Sequence, residues 1–223
     1  MSIISPESKL ADVILMNEPS IVTIINRFGI PLGVGDLSIA GICERHGLDK
    51  VFFTTILNTY INPDYFPEKV LSSFRAQTII DFLATTNAYY EHILIPNVER
   101  HFTLLVNRAS SQNSKVALML QFFTEVKHEI MSRIANDRQS LFPAIIQNKR
   151  IATPLESILA HDAGMEDKIN DLINMFVVHF NEDYDQNLGV AVYITLRNLK
   201  KDISNDNRIR NRILLPLYLK NNP

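Results

Sequence analysis

The sequence predicts an all-α protein, a four-helix up-down bundle preceded by a small N-terminal helical domain. Three observations lead there. Strand-like alternation is absent throughout, and β-branched clusters such as FVVHF sit inside helical periodicity. Beyond about residue 70 the pattern lengthens into four amphipathic stretches with modest connections, for which a bundle is the default solution. Before that point, glycine and proline break the chain into short helices.

In order, LADVIL predicts a helix over about Leu10 to Leu15, and a second starts at Asn17 or Glu18 with Pro19 in its first turn, where its missing N–H costs nothing. GIPLGVGD, with three glycines and a proline in eight residues, is a loop. A helix follows from about Ser38 to His46, closed by Gly47, and another from about Asp49 to Thr59. Helices this short are marginal alone and must pack on one another or on something larger. Residues 1–62 form the small domain, and 63–70, with Pro63 and Pro67, are the linker. Residues 71–223 hold the bundle. Its helices run from about Leu71 to Arg108, with a kink at Pro96, from Asn113 to Asn136, from Pro154 to Phe180 and from Gln186 to Arg210.

Composition removes several function classes. The 223 residues carry mixed charges with a formal net of −2, so there is no footprint for a nucleic-acid backbone. The single cysteine, Cys43, excludes an intrachain disulfide and a clustered thiolate metal site. No apolar run approaches the roughly 20 residues that span a bilayer, and the opening MSIISPESKLAD lacks a secretory pattern, so a cytoplasmic location is expected. Nothing resembles a nucleophile elbow or an HExxH zinc site.

The informative feature is a frame written twice. RIANDRQSLFP, from Arg133 to Pro143, and DNRIRNRILLP, from Asp206 to Pro216, place charges ten and six residues before a proline, with the signs exchanged. In the fourth helix Val192, Leu196, Leu199, Ile203, Asp206 and Arg210 follow at steps of three and four, which turns both charges inward. Phe122, Val126 and Ile130 lead to Arg133 or Ile134 and then Asp137 in the second helix. In the third, Ile158, His161, Met165, Leu172 and Phe176 place His161 on the inner face. With a neutral histidine, the set Arg133, Asp137, His161, Asp206 and Arg210 carries no net charge. Paired ions are expected, Arg133 with Asp206 and Asp137 with Arg210.

The order of features resembles the iron–sulfur cluster repair proteins, the RIC or YtfE/ScdA-like di-iron family, in which a small helical domain precedes a hemerythrin-like bundle. GIPLGVGDLSIAGICERHGLD is similar to that family's small-domain turn and helix, but the family's paired cysteines fall on Gly33 and Val34. SLFP and RILLP resemble the endings of the family's two H-x-x-x-E helices. The resemblance puts its metal-ligand positions at Arg133, Asp137, Asp206 and Arg210. PLESILAHDAG matches the third-helix motif and gives His161 a ligand position. The first-helix histidine falls on Ala88, beside Asn87, with His92 one turn on.

Guanidinium groups stay protonated and offer no electron pair to a metal. The resemblance therefore implies a degenerate di-iron site filled by a buried ionic network, with no cofactor and no catalytic residue. The expected function is non-enzymatic, in protein interaction, sensing or signalling, through a homodimer, a protein partner or a small ligand. The alternative is a di-iron protein of iron–sulfur repair under nitrosative or oxidative stress, with Asp137, His161, Asp206 and His92 as an altered ligand set. Cys43 reads first as a small core residue and second as a reactive thiol. The Gly33 to Asp36 turn lacks a phosphate-binding frame, and His101 and His128 stand near apolar stripes without ligand partners in register.

Overall fold

The computed structural model describes residues 3–108, 114–179 and 184–221. Among them the chain is a multi-helix bundle without strands. The small helices are α1 (Leu10–Met16), α2 (Ser20–Arg27), α3 (Ile39–His46) and α4 (Lys50–Ile61). Their ends follow local chemistry. Ser38 Oγ accepts the Gly41 N–H, Asp49 accepts from Val51 and Phe52, and Gly47 takes the left-handed conformation that closes α3.

The linker region contains one helical turn, α5 (Glu68–Leu71), and the first long helix starts later than expected, at Ala76. Arg75, in extended conformation, sets that start. The first long stretch is α6 (Ala76–Tyr89) and α7 (Ile95–Arg108), and the second is α8 (Ser114–Asn136) and α9 (Phe142–Ile146). The third is α10 (Leu155–His179), and the fourth is α11 (Gln186–Ile209) and α12 (Leu215–Asn221). The expected ends at Asn113 and Phe180 lie outside the described residues. α7 packs on α8 and α11, and α10 packs on the same two, which closes a ring of four.

Prolines in three of these stretches meet the same solution. Tyr90–Leu94, Asp137–Leu141 and Arg210–Leu214 are single π-helical turns, each followed two residues later by Pro96, Pro143 or Pro216. A proline ring would press on the carbonyl four residues back and leave it without an N–H partner. The wider turn carries the helix past this conflict. Ile95, Phe142 and Leu215 donate five residues back to Tyr90, Asp137 and Arg210. The twice-written frame is thus a backbone device, and Pro96 belongs to the same set.

Apolar packing falls into two clusters. One joins Leu10, Ile25, Phe53 and Leu57 of the small helices to Ile79, Leu83, Phe142 and Ile213. Phe28 stacks on Phe82 at 5.3 Å and meets Phe53 edge-on at 4.8 Å, so the short helices gain their stability from the end of the bundle. The other cluster holds Tyr90, Phe102, Phe123, Ile169 and Leu196. Each long stretch passes from one cluster to the other through buried polar residues: Asn87, Arg133 with Asp137, Asp162, and Asp206 with Arg210. No helix among the described residues is long and apolar enough to cross a membrane.

Candidate functional site

The polar layer is built from ion pairs between long helices. Arg133 donates to Asp206 Oδ2 at 2.7 Å, and Arg210 Nη1 lies 2.5 Å from Asp137 Oδ1. All four side chains are at most 3% exposed. Both charges of each frame therefore face inward, because the steps of three and four keep one helix face continuous into the π turn. Asn87, on α6, donates to Asp137 Oδ2 at 3.1 Å. Arg133 also donates to Asn207 Oδ1 at 2.6 Å, and the Asn207 amide in turn reaches Glu166 Oε1 at 2.6 Å.

His161 does not join them. Its side chain is 44% exposed, and the next residue, Asp162, takes the inner position at 1% exposure. The stripe on α10 is Ile158, Asp162, Met165, Ile169, Leu172 and Phe176, with steps of four and three throughout. His161 also fits steps of three from Ile158 and four to Met165, so spacing alone leaves the two neighbours open. Asp162 lies 3.6 Å from Arg133 Nη1 and 3.3 Å from Arg210 Nε, yet among the described residues neither of its oxygens has a formed hydrogen bond.

This changes the charge balance. Two guanidiniums now face three carboxylates, so the expected neutral set becomes a set with one surplus negative charge. A surplus carboxylate in a dry interior takes up a proton more readily. Burial pushes Asp206 up to about 6, with Asp137 and Asp202 adding to the push and Arg133 and Arg210 opposing it. Burial also works against the charge of Arg133, but Asp206, Asp162 and Asp137 outweigh it and hold the guanidinium above its ordinary value.

One turn before Asp206 on α11 lies a second buried pair, which sequence reasoning missed. Arg27, from α2, bonds Asp202 Oδ2, and Tyr90 donates to Asp202 Oδ1 at 2.9 Å. The Arg27 guanidinium sits 4.4 Å from the Tyr89 ring centroid and 5.6 Å from that of Tyr60, a cation–π enclosure. Burial opposes its charge, and Asp202 with the tyrosines more than restores it. Burial also pushes the Tyr90 hydroxyl well above its ordinary value, so it remains a donor. Arg27 follows Ile21 and Ile24 at steps of three, and that spacing was the available signal.

The arrangement does not suit a di-iron centre. The carboxylates of Asp137 and Asp206 are engaged by guanidinium groups, and a cation beside a metal position repels it. His92 is 70% exposed beside Glu91, and His161 faces outward, so the alternative ligand set of Asp137, His161, Asp206 and His92 is not brought together. Among the described residues, no group of three or more His, Cys, Asp or Glu side chains is placed to hold a metal ion. Cys43 is 1% exposed, and burial pushes its thiol up to about 11, which makes it a core side chain and no nucleophile at neutral pH. His128 is exposed, and His101 is half-buried.

Fold and site define an all-α bundle with a buried ionic network in its interior and no metal-binding cluster among the described residues. Neither a family model nor a curated protein sequence matches the chain.

Proposed function

We propose that the protein is a hemerythrin-like four-helix bundle, akin to the iron–sulfur cluster repair proteins, whose di-iron site is replaced by paired ions. It works by interaction, sensing or signalling in a stress response, without catalysis. The observation that carries this is the pair of guanidiniums, Arg133 and Arg210, bonded inside the bundle to Asp206 and Asp137. The two carboxylates, which could otherwise serve a metal, are matched by guanidiniums of the same chain. Redox chemistry at the same place has no donor set on which to run.

Two surface features support an interaction role. Leu15 and Met16, at the end of α1, are both 82% exposed, which gives self-association a place to start. Charge substitutions at both positions should abolish any dimer seen by light scattering. For the site itself, the test is iron content with a visible spectrum on protein expressed with ample iron. The account expects negligible iron and no charge-transfer band. About two irons per chain with an oxo-bridged band would reinstate the di-iron reading.

A further inference from the structure

Where the small helices meet the bundle, a cavity of about 360 Å3 opens among α2, α4, α11 and the Tyr90–Leu94 turn. Its size lies at the lower end of the ~300–1,000 Å3 range of small-molecule sites. Ile21, Ile24, Ile61 and Leu94 give it an apolar wall, and Asp202 lines it with a side chain that keeps 10% of its surface open. This is not the ionic layer around Asp137 and Asp162, and it exists whether or not that layer descends from a metal site.

The charges around the cavity cancel. Asp202 is held by Arg27, and at the rim Glu18 is bonded by Lys201. A charged ligand would lose its hydration there without meeting an unpaired counter-charge. A neutral donor is different. An ionised carboxylate offers about four lone-pair sites, and among the described residues Asp202 accepts from Arg27 and Tyr90 only. We propose that this junction cavity binds an uncharged, largely apolar small molecule that donates one hydrogen bond to Asp202. Because its walls come from both the small domain and the bundle, such a ligand ties the two together and stabilises the joined state by mass action.

The test is a fluorescence titration of the full chain with N-phenylnaphthylamine, a neutral aromatic amine of this class. A saturable one-to-one rise is expected. Ile93→Trp and Asn198→Trp place bulk on exposed lining positions and should each weaken binding by about tenfold or more. Val178→Trp, on an exposed position away from the cavity, should leave it unchanged. The sulfonated analogue, anilinonaphthalene sulfonate, should bind at least about tenfold more weakly than the neutral probe. Thermal melts establish that each variant is folded. Absence of saturable binding, wild-type affinity in both plugged variants, a loss in Val178→Trp matching theirs, or equal affinity for the sulfonate overturns the proposal. The iron assay addresses a different site, so the two results stand or fall separately.

Discussion

Asp202 and Asp206 stand one turn apart on α11, and each takes a guanidinium from another helix, Arg27 in one case and Arg133 in the other. Around Asp202 the charges match one to one, three tyrosine rings surround the cation, and both carboxylate oxygens are bonded. Around Asp206 three carboxylates share two guanidiniums, and Asp162 makes no formed hydrogen bond among the described residues. Burial is nearly complete in both places. What differs is the stoichiometry, and it makes the first site a latch between α2 and α11, and the second a group that can take up a proton.

The comparison is broken most severely by removing a guanidinium from the interior. Arg210→Met leaves Asp137 buried with only the Asn87 amide, and a loss of ~3–5 kcal/mol is expected in urea unfolding. Arg27→Met should cost less, about 3 kcal/mol, because Asp202 keeps the Tyr90 hydrogen bond and can be reached by water from the cavity. A variant that matches Arg210→Met in effect would remove the distinction between the sites.

Next in size is a pH effect. The folded-state pKa of Asp206, about 6, lies above its ordinary value of 3.8, so between those limits the folded protein holds the proton more tightly than the unfolded chain. Its contribution is fully present below the unfolded value and is lost as pH rises through about 6. The stability of the wild type relative to Asp206→Asn should therefore fall by about 2–3 kcal/mol between pH 4 and pH 7. A flat difference between wild type and Asp206→Asn would contradict the burial argument for Asp206. The smallest effect belongs to His161→Ala, expected within about 0.5 kcal/mol of wild type in the same assay because the ring faces solvent.

Much of this was legible in the residues. Helix order followed from periodicity, and the closure at Gly47 from local chemistry. Asp206 and Arg210 could be turned inward because six successive positions of the fourth helix agreed on one face. The third helix was harder. His161 and Asp162 are neighbours, either fits a step from Ile158 and a step to Met165, and spacing alone does not separate the two. The Arg27 to Asp202 contact joins residues 175 apart, and periodicity within one helix says nothing about which partner a buried charge meets. The π turns were likewise hidden, since a proline announces a conflict in the backbone and does not say whether a kink or a wider turn resolves it.

The central claim is that paired ions hold the polar layer in the interior of the bundle. A double-mutant cycle on Arg210 and Asp137, using Arg210→Met, Asp137→Leu and the combination, measures it directly through unfolding free energies. The account predicts that the two losses are far from additive, with a coupling of about 3 kcal/mol, since either single change strands a buried charge and the double change strands none of the pair. Additivity within about 0.5 kcal/mol would contradict it.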